Sequence, residues 1–167
     1  MAREVKVMLA VVVLALGFAG YAGWTWFRAD SDDSLGYATT RDEVLAVGRT
    51  QVATLTTLDY HDVDGGIGKW LAVSTGGLRD ELSATDAKTR QALKDGATVS
   101  TGRVLDAAVS ELNIRAGSAK LLVSVEISSA KAGGPPAGKR DRFVAAMTRL
   151  DDGWKLSALD RVPLGAQ

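Results

Sequence analysis

The sequence predicts an α+β domain carried behind one membrane helix. Three patterns point there: an uncharged apolar run near the N-terminus, amphipathic stretches at helical spacing, and then alternating apolar and polar residues broken by turn chemistry. The chain has 167 residues, enough for about one domain, with 46% apolar and 24% charged residues, so it is neither disordered nor fibrous. Twenty basic residues balance twenty acidic ones, which argues against nucleic acid as a partner because phosphate binding needs a cationic surplus. The absence of cysteine excludes disulfides, thiolate nucleophiles and Cys-based metal sites.

The apolar run extends from Val7 to Phe27. At about 1.5 Å per residue it spans roughly 31 Å, close to the hydrocarbon thickness of a bilayer. Arg3, Lys6 and the amino terminus on one side, against Arg28 alone on the other, place the N-terminus in the cytoplasm. Tyr21, Trp24, Trp26 and Phe27 form an aromatic belt at the far end. The rival reading is a cleaved signal peptide with Val7–Phe18 as its core and a cut near Ala22. Continuation of the apolar run through Trp24–Phe27, past that site, favours an anchor. Within it Ala15, Ala19 and Gly23 recur every four residues, a small-residue stripe along which a partner helix can pack closely. Small residues are also common in lone anchors.

The organisation expected is a cytoplasmic stub and membrane helix over 1–28, a juxtamembrane segment over 29–39 and an extracytoplasmic domain over 40–167. The juxtamembrane part is acidic, with Asp30, Asp32 and Asp33. Thr40-Arg41-Asp42-Glu43 reads as a capping box that opens a helix. Val44, Leu45, Gly48, Val52, Leu55 and Leu58 keep its apolar face, and the helix is expected to end near Asp59–Asp62. Asp62 to Trp70, DVDGGIGKW, reads as a turn because of Gly65, Gly66 and Gly68. A second helical region starts at Trp70 and Leu71, is interrupted at Thr75-Gly76-Gly77, continues through Leu78, Leu82, Thr89 and Leu93, and stops at Gly96.

Everything after Gly96 reads as strand. Ala97–Leu112 is the first, with a bulge or bend at Gly102. Ala119–Ser129 alternates strictly, with Ala119, Leu121, Val123, Val125 and Ile127 on one face, which predicts a half-buried strand. Ala130–Asp141 reads as a Gly/Pro-rich hairpin loop, followed by Phe143, Ala145 and Met147. Asp152-Gly153 is hairpin chemistry, since both residues accept positive φ, and Trp154, Leu156 and Ala158 complete the last strand. Two helical regions on a curved, four-stranded antiparallel sheet are therefore expected.

With these elements placed, the chain resembles the Mce-associated membrane proteins of actinobacteria. The resemblance is carried by Thr56-Thr57-Leu58-Asp59-Tyr60, by Trp70-Leu71-Ala72-Val73-Ser74-Thr75-Gly76 with Leu78-Arg79-Asp80-Glu81-Leu82, by Val99-Ser100-Thr101-Gly102, and by Asp152-Gly153-Trp154-Lys155-Leu156. It runs over the outer domain and the anchor; order and spacing carry it, not one diagnostic motif. It implies a nuclear-transport-factor-2-like (cystatin-like) outer domain, similar also to the periplasmic domain of a type IV secretion assembly factor. It further implies a non-enzymatic, single-pass accessory subunit of an Mce-type lipid or sterol import complex in the inner membrane. Mce transporter subunits or their permease would be the partners, touched through Ala15, Ala19 and Gly23, with no cofactor. The alternatives are a lipid-binding module using the pocket between helices and sheet, and an enzyme on the same fold.

The enzyme alternative rests on Asp59-Tyr60-His61-Asp62-Val63-Asp64, which holds the only histidine. A histidine beside carboxylates can be a tuned base, and ketosteroid isomerase, on this fold, uses Tyr and Asp in its pocket. Adjacent residues at a helix end point in different directions, however, which favours a solvated helix end with a packed Tyr60. A calcium-loop alignment on Gly65 puts Tyr60 at position one and Leu71 at twelve, and fails. A phosphate-loop reading of GGIGKW needs Gly at Val63 and Ser or Thr at Trp70, and fails too. Lys131, Lys139, Arg140 and Arg142 make the expected hairpin loop basic, either as a solvated loop or as a contact for anionic lipid.

Overall fold

The computed structural model describes residues 21, 24 and 35–162. The chain divides into two compact units, Met1–Thr40 and Arg41–Gln167. In the first, Tyr21 and Trp24 are helical with exposed side chains. The rest of the Val7–Phe27 run, with Ala15, Ala19 and Gly23, lies outside the described residues. Among the described residues no helix is long and apolar enough to cross a membrane.

Residues 35–55 are helical, and the stretch within the second unit, 41–55, is α1. The capping box at Thr40 does not form. The helix is already running at residue 35, so the Thr40 hydroxyl donates back to the Gly36 carbonyl at 2.9 Å. Val44, Gly48 and Val52, spaced by one helical turn, are buried against the sheet. Gly48 is required there: a Cβ would stand 2.6 Å from Leu121 Cδ2, so the absence of a side chain lets the helix lie close on the strands.

The helix ends at residue 55, earlier than its spacing predicts, and Leu58–Asp59 form a two-residue strand, β1. A single 3₁₀ turn at Tyr60–Asp62 leads into helix α2, Val63–Val73. The turn expected at DVDGGIGKW is thus a helix. Asp62 caps it by accepting from the Gly65 amide at 3.0 Å, and burial of Val63 and Ile67 offsets the glycines. Each such glycine costs about 1 kcal/mol in a helix, while each buried Val or Ile stabilises by about 1.5–3 kcal/mol. Trp70 closes α2 instead of opening it. Two short helices follow, α3 at Gly76–Ser83 and α4 at Ala87–Asp95, the latter capped by Asp86 on the Thr89 amide. The break at Thr75–Gly76 is where the sequence places it, and Gly76 has φ +54.

The sheet is an antiparallel meander of β1, β2 (Thr98–Asn113), β3 (Ser118–Lys131), β4 (Ala137–Leu150) and β5 (Gly153–Arg161), hydrogen-bonded in that order. Four strands were expected and five form. β1 is too short for alternation to mark it, and it pairs only Leu58 with Ser100 and Asp59 with Val99. The expected loop at Ala130–Asp141 shrinks to 132–136, because Ala137–Asp141 continue the ladder opposite Val125–Ser129. Bulges fall at Val104/Asp106 and Val109/Glu111, not at Gly102. Gly102 instead lets β2 pass beneath α1: a Cβ there would stand 1.8 Å from Thr56 Oγ1. At the last hairpin only Gly153 takes positive φ. The inner face of the sheet and α1 make the core, with Leu121, Val125, Ala145, Met147, Trp154 and Leu156 essentially sealed.

Candidate functional site

Two places were open to chemistry in the sequence: the Asp59–Asp64 segment, and the space between α1 and the inner face of the sheet. The second is filled. Trp154 and Met147 occupy it from β5 and β4, and Val44 and Val52 close it from α1. Gln51 is buried there too, its Nε2 donating to the Trp154 carbonyl at 2.6 Å. Gln51 Oε1 and Trp154 Nε1 are buried without a partner. Both atoms sit inside the packed core, where α1 docks on the sheet.

The acidic segment does not converge. Asp59 caps the 3₁₀ turn, accepting from the His61 amide at 2.9 Å and facing His61 Nδ1 at 2.7 Å. The His61 amide, more than the ring, holds the Asp59 carboxyl below its usual range. Asp62 turns the other way onto the Gly65 amide. Asp64 reaches across to α4, 3.0 Å from both Arg90 Nη1 and Lys94 Nζ. Lys94 first and Arg90 second lower its pKa. The Tyr60 ring, half-buried, lies 3.9 Å from the His61 ring between centroids. Three carboxylates thus perform three separate structural tasks, and among the described residues no group of three or more His, Asp or Glu side chains is placed to hold a metal.

Asp59 and Asp62 do border an open cleft of about 570 Å³ between the end of α1 and α2. Its walls are Arg49, Thr50, Ala53 and Thr54 on α1, and Gly66 and Lys69 on α2, with Leu58 between them. The hydroxyls of Thr50, Thr54 and Thr57 donate to helix carbonyls one turn back, at 2.8 to 3.2 Å. The Trp70 indole ties the two helices together, donating to the carbonyls of Thr54 and Thr57, each at 3.0 Å. Leu58 lies against α2 because Gly66 has no side chain; a Cβ there would be 2.4 Å from Leu58 Cδ1. Sequence spacing did not reveal this cleft, since its walls meet only through the 3₁₀ turn and β1. It offers a shallow, largely apolar recess bordered by two cations, Arg49 and Lys69, and two carboxylates, Asp59 and Asp62.

The basic residues expected in a loop lie on strands. Lys131 ends β3, and Lys139, Arg140 and Arg142 belong to β4. Lys139 and Arg161 flank the buried Asp141 at 3.4 and 3.2 Å, while Arg140 and Arg103 share Glu126 at 3.7 and 2.6 Å. Two of the four, Lys139 and Arg140, are therefore engaged within the sheet.

No family model and no curated protein matches the sequence. The chain is similar in structure to an IcmL-like type IV secretion system protein of Legionella pneumophila, with a TM-score of 0.61 at 10% identity, covering 76% of this chain and 95% of that one. It is similar to the periplasmic domain of DotI, with a TM-score of 0.58 at 12% identity, covering 72% and 93%. The VirB8 protein of Agrobacterium tumefaciens gives a TM-score of 0.53 at 8% identity, covering 72% and 92%. At such identities the likeness establishes a shared α+β fold.

Proposed function

We propose that the chain is a non-enzymatic accessory subunit of a membrane complex in the bacterial envelope. In this reading the Val7–Phe27 segment is its single membrane helix and the domain from Arg41 onward is its periplasmic docking body. The observation that carries the non-enzymatic part is the filled interior. The space in which this fold could hold a ligand is occupied by Trp154, Met147, Val44 and Val52. The only histidine is tied to Asp59, at a surface turn. The same filling counts against a lipid-binding module working through that pocket. The envelope location draws support from the periplasmic domain of DotI among the structural neighbours, and from the basic N-terminal flank of the apolar run.

Within that class we assign the chain to an Mce-associated role in lipid import, on the sequence resemblance of its helix and hairpin motifs. The structural neighbours favour a second reading, a subunit of a type IV secretion apparatus. The two differ in their partners. Immunopurification from native membranes in mild detergent, followed by mass spectrometry, is expected to recover Mce or permease subunits. Recovery of secretion-system subunits instead would select the second reading, and recovery of neither, with transporter levels unchanged on deletion, would sink the accessory role. The Ala15, Ala19 and Gly23 stripe is the proposed contact in the membrane. Ala19→Leu with Gly23→Leu should preserve insertion and lower partner recovery several-fold, because added bulk holds helices apart. Val12→Leu with Leu16→Val, on another face, should leave recovery unchanged.

A further inference from the structure

Strand β4 runs past the end of its partner β5. Its pairing with β3 continues to Ala137 opposite Ser129, whereas its pairing with β5 stops at Phe143 opposite Arg161. One more rung, the Val162 amide on the Arg142 carbonyl at 2.9 Å, closes that ladder. Residues 137–141 therefore form an edge, about 17 Å long at about 3.3 Å per residue, with no strand beside it among the described residues. Antiparallel pairing alternates sides residue by residue. The backbone N–H and C=O groups of Gly138 and Arg140 thus point the same way as those of Arg142, away from β3. Both residues are exposed, and their open groups are a template for another strand.

Charge decides what such a strand must carry. A recess of about 370 Å³ opens where β5 stops, and its charged walls are Lys139, Arg140, Arg142 and Arg161 against the single carboxylate of Asp141. Asp141 is buried and already flanked by Lys139 and Arg161, at 3.4 and 3.2 Å. Further carboxylates stand back from the open side. Glu126 is one strand behind, on β3, and is shared by Arg140 at 3.7 Å and Arg103 at 2.6 Å. Asp106 is two strands behind, on β2, in the Arg142 row, and Asp160 sits beside Val144, past the open stretch. Arg142 forms no ion pair among the described residues. The open edge is therefore cationic. It repels a second copy of itself, and residues 163–167, Pro-Leu-Gly-Ala-Gln, bring no acid to it.

We propose that the open edge of β4 receives an extended acidic segment of a partner protein as an added strand. Backbone pairing with Gly138 and Arg140 supplies affinity, and side chains at alternate positions supply selectivity. Arg140 and Arg142 share the exposed face of β4, while Asp141 between them turns to the buried side. Acids on one face of the added strand meet both arginines. Its other face lies over Asp141, where an acid is repelled, so the matching pattern alternates acidic and apolar residues. The inference extends the docking role proposed above without depending on which complex the chain serves.

The probe is a fluorescein-labelled peptide, Glu-Val-Glu-Val-Glu-Val-Glu, titrated with the full-length protein in detergent and read by fluorescence anisotropy. Saturable binding is expected, and a Lys-Val-Lys-Val-Lys-Val-Lys peptide should not bind. Gly138→Pro removes one open amide without touching the β3 ladder, and should weaken binding about fivefold, the weight of one hydrogen bond. Gly138→Ala, with nothing within 4 Å of the added methyl group, should not. Arg142→Glu should weaken binding about tenfold, while Lys88→Glu, the same charge change on the exposed surface of α4, should leave it unchanged. Slower hydrogen exchange of the Gly138 and Arg140 amides on adding the peptide to wild type reads the backbone pairing even where Gly138→Pro misfolds. Absence of saturable binding would overturn the proposal. Binding that leaves both amides unprotected would do so too, since the arginine side chains alone would then hold the anion. Equal losses with Arg142→Glu and Lys88→Glu would count the same way. Binding confined to a chain cut after Val162 would make residues 163–167 the occupant and end the proposal as well.

Discussion

Ala97 holds a left-handed backbone, φ 45, directly after α4. Gly96, which the sequence marks as the stop, is the C-cap but stays right-handed with φ −62. The strained position is thus one residue later, and an alanine occupies it. A left-handed conformation costs an L-residue about 1–2 kcal/mol, and the added freedom of an unfolded glycine returns about half of that. Ala97→Gly should therefore stabilise the protein by about 0.5–1 kcal/mol, read as a higher urea midpoint at unchanged slope. Gly102 is the opposite case. A methyl group there meets both Oγ1 and Cβ of Thr56, at 1.8 and 2.6 Å, and the Gly102 amide also donates to Thr57 Oγ1. Gly102→Ala should cost about 2–3 kcal/mol, the scale of overpacking, with partial recovery when Thr56→Ala is added. The glycine was legible as an irregularity in a strand. Its cause was not, because the element pressing on it lies more than forty residues away in sequence, and no local pattern records a close crossing.

At the scale of elements, alternation made β3, β4 and β5 legible: one face of each must be buried and the other wet, and period two follows directly. Helix α2 was illegible for an equally physical reason. Three glycines in DVDGGIGKW weigh toward a turn by local propensity, and tertiary contacts override that preference. Asp62 over the Gly65 amide, Leu58 beside Gly66 and the Trp70 indole on the end of α1 all hold α2 in place. The glycines are not equivalent, which gives a test. Gly68 faces open space, with nothing within 4 Å of where an added methyl group would stand, so Gly68→Ala should gain about 0.5–1 kcal/mol of helix stability. Gly66→Ala gains the same propensity but displaces Leu58, so its midpoint in urea should rise less than that of Gly68→Ala or fall below wild type. If both gained equally, the contact between Leu58 and α2 would have no energetic weight. The sheet's edge follows a similar logic. Beyond Gly102, β2 has no further strand beside it among the described residues, and its two bulges, with the Asp106 carboxylate on the Ala107 amide at 2.8 Å, blunt it against edge-to-edge pairing.

For the whole molecule, the order of helices before an antiparallel sheet was readable, whereas the closure of its interior was not. Trp154 reads correctly as an inward strand residue, but nothing in spacing tells whether inward means lining a pocket or filling it. Gln51 on α1 is polar by type and is nevertheless buried, because its amide meets a carbonyl on β5. The acidic segment looked like one cluster and is three separate fastenings. That distribution sets how the protein answers to acid. Asp59, Asp64, Asp86, Glu126 and Asp152 all have depressed pKa values, chiefly through the His61 amide, Lys94, the Thr89 amide, Arg103 and Lys155 respectively. Each titrates lower in the folded chain than its unfolded reference near 4, so the unfolded state binds protons first as pH falls. The stability these groups supply is fully present above the unfolded pKa and disappears as pH drops through the folded values. Urea midpoints followed by tryptophan fluorescence should accordingly be flat with respect to these groups above about pH 5 and fall below about pH 4. Asp64→Asn leaves Arg90 and Lys94 without their shared carboxylate. Its midpoint should lie below wild type on the neutral plateau, and the two curves should converge in acid, where the wild-type carboxyl is protonated as well. A gap between them that persists below the folded pKa would mean that Asp64 acts through packing, and that the link between α2 and α4 is not electrostatic.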